Sequence, residues 1–241
     1  FIMNIAIQLA KDISRGVPGK NQKIINGLPL YQHTLNRLLK SNKVDEIFVS
    51  TDSIEIASNI EPLDLNILMR SGEIAHPDCL TENVLSDSLE QINKKFNISP
   101  DIVCVVFSNA PTFDPTRLDK AIEILEKTPE LDSVFSVCEY NMFTPIRARK
   151  INKDGISTPF CNLEQFGDIT NANRDNIGNC YFADLTIQVT RTHWIENVWD
   201  GPAPIRWMGS NSYAMKGGFG FDIDAEWQWP VIENWLNNNP I

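Results

Sequence analysis

Short apolar runs rich in Val and Ile alternate along this chain with stretches whose apolar residues recur at helical spacing. Ile5–Leu9, Ile47–Ser50, Ile102–Phe107 and Ser133–Val137 are too short for helices and read as buried strands. Leu35, Leu38 and Leu39 mark a helix between the first two. Val84, Leu85, Leu89, Ile92 and Phe96 share one helical face before the third, and Leu118, Ala121, Ile122 and Leu125 do so before the fourth. Strand and helix in alternation predict a doubly wound α/β fold, its mostly parallel strands joined by right-handed crossovers. Tyr181–Val189 reads as a further strand and Phe219–Ile223 as a short one. The stretch from Trp227 to Leu236 reads as a helix beginning near Gln228, with Pro230 in its first turn.

The pattern weakens between Asn141 and Asn179, where Pro145, Pro159 and Asp154-Gly155 fall among clustered polar residues. That segment is expected to be a hairpin or protruding arm, at about 142–175. No repeat or low-complexity linker divides the 241 residues, so residues 1–241 are expected to form a single domain.

Charge sharpens the search for a ligand. The net charge of −10 excludes a general nucleic-acid or anionic-membrane binder, so a polyanion would need a local cluster of cations. No run of about 18 apolar residues predicts a membrane span. The opening Phe1-Ile2-Met3 lacks the basic and apolar regions of a secretory signal, Met3 being the expected native start, so a cytoplasmic location is expected. The five cysteines are widely spaced with no C-x-x-C pair, which predicts reduced, mostly buried thiols rather than zinc ligands or disulfides.

The first strand runs into Lys11-Asp12-Ile13-Ser14-Arg15-Gly16-Val17-Pro18-Gly19-Lys20-Asn21. Ligands in open α/β sheets sit beyond the carboxyl ends of strands, and glycines let a loop approach phosphate oxygens closely. Lys11, Arg15 and Lys20 make this the most basic loop after a strand. It lacks the G-x-x-x-x-G-K-[ST] spacing of a Walker loop, and by composition alone it reads equally as a solvated turn. Near the other end, Asp222-Ile223-Asp224 follows a Gly-rich run, and alternation along an extended chain puts both carboxylates on one side. Two hard oxygen ligands beside phosphates suit Mg²⁺ or Mn²⁺; the same pair also fits an acidic turn capping the next helix.

Ser14-Arg15-Gly16-Val17-Pro18-Gly19-Lys20-Asn21 resembles the S-K-G-x-P-x-K-N signature of the acylneuraminate cytidylyltransferase family. Asn26-Gly27-Leu28-Pro29-Leu30, Val49-Ser50-Thr51-Asp52 with Glu55-Ile56-Ala57, Arg70 with Glu73-Ile74-Ala75, and Asp222-Ile223-Asp224 are similar to that family's further motifs, in the same order. The resemblance implies a nucleotidyltransferase fold of the GT-A/Rossmann-like type. The implied reaction is attack of a sugar-acid hydroxyl on the α-phosphate of CTP, with release of pyrophosphate. It implies that Leu9, Ala10, Lys11, Ser14, Arg15, Lys20, Asn21 and Arg70 hold the nucleotide. Asp222 and Asp224 would hold the metal, and Lys20 and Asp222 would be catalytic. It further implies a homodimer whose arm reaches the partner's site.

Three departures from the family pattern are present. Lys11 and Arg15 exchange the family's Arg and Lys, which are not equivalent phosphate ligands. Phe107 and Phe113 stand where the family has a Gln and an Arg, so Asn109 or Ser108 is left to carry any polar role, while Phe107 also reads as core. In Ile177-Gly178-Asn179-Cys180-Tyr181 only the Gly and Tyr persist, making Tyr181 the second expected acceptor contact beside Asn109. Unpaired hydroxyls cost about 1–3 kcal/mol each, so a pocket with Phe107 suggests a less hydroxylated or otherwise altered anionic acceptor. Arg147, Arg149, Lys150, Arg174, Arg206 and Lys216 are candidate cations for it, and Trp194, Trp199 and Trp207 are candidate cleft aromatics. Two rival readings are a metal-dependent glycosyltransferase using a nucleotide sugar and a degenerate, non-catalytic nucleotide binder.

Overall fold

The computed structural model describes residues 2–14, 16–167 and 178–241. Strand β1 (Asn4–Ala10) is followed by a two-residue hairpin, β2 (Ile24–Ile25) and β3 (Leu28–Pro29), and by helix α1 (Leu30–Leu38). Then come β4 (Glu46–Thr51), α2 (Ile54–Ile60), β5 (Asn66–Met69), α3 (Thr81–Phe96), β6 (Ile102–Phe107), α4 (Pro115–Lys127) and β7 (Ser133–Glu139). A small hairpin, β8 (Arg149–Ile151) and β9 (Ser157–Pro159), precedes β10 (Tyr181–Arg191) and β11 (Ser212–Lys216), and the helix Trp229–Asn238 ends the chain.

Seven strands form one sheet in the order β11-β7-β10-β6-β1-β4-β5. β1 pairs in parallel with both β4 and β6, and β11 with β7, while β10 runs antiparallel between β6 and β7. Alternation along β1 divides the core. Ala6 and Ala10 face α1, α2 and α4; Ile5, Ile7 and Leu9 face α3 and the segment carrying Ile195, Trp207 and Met208. Both faces of the sheet are thus covered, as the apolar runs required.

The chain leaves β1 toward β4 and β5, then returns to place β6 on the other side of β1. The loops after β1 and β6 therefore diverge and open a crevice at a topological switch point. A third apolar cluster lies at this end: Val17, Ile25, Leu30, Ile223, Ile232 and Leu236. It joins the loop after β1, the Asp222–Asp224 segment and the C-terminal helix.

Several expectations need correction. Phe219–Ile223 is not a strand; Gly217 and Gly218, with φ of +84° and +108°, turn the chain off the sheet after β11. β5 and β11 escaped the sequence reading because both are short and flank the sheet, where half-exposed positions blur the apolar run. The helix at Trp229, with Pro230 in its first turn, matches its expected place. In the 142–167 part of the arm, β8 and β9 form an exposed hairpin turning at Asp154-Gly155, Gly155 taking φ +79°. The remainder of the expected arm, with Arg174, lies outside the described residues. Cys104 and Cys138 are buried, but Cys79, Cys161 and Cys180 are only half-buried; all five are free thiols. Among the described residues no helix is long and apolar enough to cross a membrane.

Candidate nucleotide site

A cavity of about 180 Å³ opens at the switch point, lined by Leu9, Lys11, Lys20, Asn21, Arg70, Asn109, Asp222 and Asp224 together with Cys79, Thr81, Val84, Phe107 and Leu185. Residues separated by more than two hundred positions meet here because each follows the carboxyl end of a strand or is tied to one.

The loop after β1 is held by its own turns and by its neighbours. Lys20 N–H donates to the Val17 carbonyl and Gln22 N–H to that of Gly19, whose φ of +63° suits glycine. Asn21 Nδ2 donates to the Lys11 carbonyl at 2.7 Å, closing the loop across its base. Thr51 Oγ1 at the end of β4 donates to the Ala10 carbonyl, and the Asp52 carboxylate accepts from Asp12 N–H. Gly16 packs so closely on the Asp222–Asp224 segment that a Cβ there would sit 2.3 Å from the Asp224 carbonyl oxygen.

Three cations converge on the cavity. Arg70, only 8% exposed, donates through Nε to Ser50 Oγ and through Nη2 to the Ser50 carbonyl. Among the described residues no carboxylate lies within ion-pairing distance of it. Burial lowers the pKa of Arg70. Burial lowers that of Lys11 too, and the charges of Lys20 and Arg70 lower it further. Lys20, 5% exposed, donates to the Ile223 carbonyl and to Asp224 Oδ1, both at 2.6 Å. Mutually repelling cations held together in a chain of net charge −10 are arranged for a polyanion.

Opposite them, Ile223 is fully buried in the third apolar cluster, so the aspartates on either side of it turn outward. The extended segment gives the i, i+2 pairing that the sequence suggested, without a strand. Asn109, just beyond β6, fixes it: Ile223 N–H donates to the Asn109 carbonyl at 2.9 Å, and Asn109 Nδ2 lies 3.3 Å from the Ile223 carbonyl and 3.4 Å from Asp222 Oδ2. The Asp222 carboxyl is pushed up to about 6, first by burial and then by the negative charge of Asp224. Asp224, held by Lys20, is lowered although its own partial burial opposes this.

The expected residues distribute unevenly. Ser14 is buried within the loop and Ala10 within the sheet, its carbonyl taken by Thr51; neither side chain lines the cavity. Arg15 lies outside the described residues. Tyr181 lies away from the cavity, at the start of β10 opposite Glu139, with Lys216 Nζ 4.6 Å from its ring centroid. Arg147, Arg149, Lys150, Arg206 and Lys216 do not line the cavity either. Nor do Trp194, Trp199 and Trp207, although Trp207 packs 6.3 Å from the Phe107 ring. Phe107 is core on one side and cavity wall on the other; Phe113 is core. Cys79, Thr81, Val84 and Leu185 also line the cavity, although the sequence marked Val84 only as part of a helical face, Leu185 only as part of a strand, and neither Cys79 nor Thr81 as a site residue.

Residues 5–176 match a family model described as cytidylyltransferase. N-acylneuraminate cytidylyltransferase A of Danio rerio is 29% identical over 236 residues, 95% of this chain and 49% of that protein. An 8-amino-3,8-dideoxy-manno-octulosonate cytidylyltransferase of Shewanella sp. (strain ANA-3) is 29% identical over 128 residues, 53% of this chain and 49% of that protein. The chain thus spans about half the length of the curated relatives it matches. Among solved structures, a CMP:2-keto-3-deoxy-manno-octonic acid synthetase complexed with CTP superposes with a TM-score of 0.69 at 14% identity, covering 98% of this chain and 99% of the other.

Proposed function

Because this chain belongs to the cytidylyltransferase family, we propose that it transfers CMP from CTP to a sugar acid and releases pyrophosphate. The observation that carries the reading is the meeting of Lys11, Lys20 and Arg70 with Asp222 and Asp224 around one cavity at the switch point. Phosphoryl transfer demands positioning and charge neutralisation more than covalent catalysis, and this site is built from those elements. The names of relatives and structural neighbours, which act on CTP and sugar acids, support the same substrates.

In this reading the triphosphate lies against Lys11, Lys20 and Arg70, whose charges offset the growing negative charge on the leaving pyrophosphate. Leu9 and Asn21 border the nucleoside side. The paired carboxylates fit a hard divalent cation: burial first, and then the negative charge of Asp224, raise the Asp222 carboxyl to about 6, and a bound cation would offset both. Asp222 and Asp224 would hold Mg²⁺ or Mn²⁺, which would supply further charge neutralisation at phosphate oxygens. Asp222 Oδ2, beside the Asn109 amide, is the group that takes the acceptor hydroxyl's proton as the oxygen–phosphorus bond forms.

A homodimer belongs to the same proposal. The arm exposes Phe143, Ile151, Ile156 and Phe160, which a second copy would cover. Sedimentation of the protein and of an Ile151→Lys variant tests it; a monomer in both counts against the dimer.

Thermal stability in Mg²⁺ with CTP, UTP, GTP, ATP and dTTP tests the reading directly, with Asp222→Asn as control. A rise specific to CTP, reduced in the variant, is expected, followed by pyrophosphate release when a sugar acid is added. No rise with any triphosphate would refute it.

A further inference from the structure

The segment that carries Asp222 and Asp224 belongs to no strand, so side chains from elsewhere take up its backbone groups. Its two ends are clamped separately. At the Asp224 end, Gln228 Oε1 accepts from Asp224 N–H at 2.6 Å and from Ala225 N–H at 2.7 Å, and Lys20 donates to the Ile223 carbonyl. At the Asp222 end, Tyr140 Oη donates to the Gly220 carbonyl at 3.0 Å.

Tyr140 is a fixed post for that bond. It is the first residue beyond β7, and its N–H donates to the Cys180 carbonyl at 3.1 Å, which ties it to the residue before β10. Its ring meets those of Phe143 and Phe182, with centroids 6.2 and 6.3 Å away. Gly220 is buried and admits no side chain: a Cβ there would lie 2.5 Å from Thr186 Cγ2 and 2.9 Å from Thr112 Oγ1.

Among the described residues, the other side-chain donor near the Gly220 carbonyl is the Cys138 thiol. It is 3.7 Å away and closer to Asp184 Oδ2, at 3.1 Å. Just upstream, Gly217 and Gly218 are exposed and have no side chains to anchor the chain. Without the Tyr140 hydroxyl a buried carbonyl loses its donor, and the run from Gly217 to Gly220 is free to shift. Asp222 lies two residues further on. A displacement of about 1 Å at a reacting group costs about a hundredfold in rate, whereas nucleotide affinity is spread over Lys11, Lys20, Arg70 and both carboxylates.

We propose that Tyr140 is a positioning residue for the transfer, its hydroxyl setting the reach of Asp222 through the Gly220 carbonyl. The role rests on the cytidylyltransferase reading, in which Asp222 takes the acceptor hydroxyl's proton.

The parent, Tyr140→Phe, Asp222→Asn and the double variant are compared in pyrophosphate release from CTP with Mg²⁺. The acceptors are N-acetylneuraminate and 8-amino-3,8-dideoxy-manno-octulosonate. CTP affinity is measured by calorimetry, and amide exchange is followed in the unliganded, metal-free proteins. Tyr140→Phe keeps the ring and its aromatic contacts, and CTP binding checks that it is folded. Its kcat should fall about 10–100-fold while CTP binds within about threefold of the parent. Amide exchange should quicken over residues 218–223 and stay as in the parent over the loop after β1. In the Asp222→Asn background, Tyr140→Phe should lower the residual rate no further, because the group it positions is already gone. A kcat within about threefold of the parent, a CTP affinity that falls as far as kcat, or losses that add in the double variant overturns the role alone. A parent that binds no CTP, or releases no pyrophosphate with either acid, overturns the proposed function and, with it, this role.

Discussion

Lys20 and Asp224 close the site from opposite ends of the chain: Nζ and Oδ1 are 2.6 Å apart, the lysine side chain 6% exposed and the aspartate 65% exposed. An ion pair so open on one side contributes little to stability, because water screens it. Its value lies in setting the position of a buried cation. Lys20→Gln is expected to lower the free energy of unfolding by about 1–3 kcal/mol, chiefly through the buried Ile223 carbonyl that loses its charged donor. It should also weaken CTP by tenfold or more, read by denaturant titration and calorimetry on the same sample.

Ile223 anchors the carboxylates on either side of it. Ile223→Ala should lower stability by about 2–5 kcal/mol through the cavity it leaves. Ile223→Val, which keeps most of the contact, should lower it by about 0.5–1.5 kcal/mol. If anchoring is its role, CTP affinity falls in the same order; equal affinity in both folded variants would contradict it.

Gly16 carries the close approach of the basic loop to Asp224. Gly16→Ala should force the two segments apart, since the added Cβ meets a backbone oxygen at 2.3 Å rather than a movable side chain. Loss of the CTP-dependent rise in melting temperature is expected, whereas substitution of exposed Lys40 should preserve it.

Asp222 makes the unliganded protein sensitive to pH. Its carboxyl lies at about 6 against an ordinary 3.8, so the native state holds this proton more tightly than the unfolded chain does. That contribution is full below about 3.8 and is lost as pH rises through about 6. Asp222→Asn should therefore gain stability relative to the parent between those values and keep the gain at pH 7. Chemical denaturation from pH 4 to pH 8 measures the difference.

His33 gives the opposite slope. Its ring is buried, with Nε2 2.7 Å from the Ile25 carbonyl, and burial lowers its pKa below 6.5. The unfolded chain binds this proton more readily, so stability is full above about 6.5 and falls as pH drops through the native value. His33→Gln should remove that acid-side loss, whatever its offset at pH 8.

The sequence by itself determined the layered α/β fold, the basic loop after β1 and the outward pairing of Asp222 and Asp224. All three rest on local rules: apolar runs fix buried strands, glycines permit a close loop, and i, i+2 positions share a side. Where locality failed, so did the reading. Phe219–Ile223 is apolar enough for a strand, yet two glycines at positive φ carry it off the sheet to pack Ile223 against the C-terminal helix. Tyr181 carries a family-like motif, but the register of β10 with Glu139 sets it away from the cavity. Asn109 was expected to meet the acceptor, and the fold also uses its amide to bolt the Asp222 segment in place. Only tertiary structure decided which cations converge: Lys11, Lys20 and Arg70 meet because β1 is flanked by β4 and β6 and the loops part there. Leu185 is the clearest case. Nothing in an isolated Asp-Leu-Thr predicts a left-handed leucine; in the fold, Ser136 and Cys138 of β7 join Thr186 in holding the Asp184 carboxylate beside it.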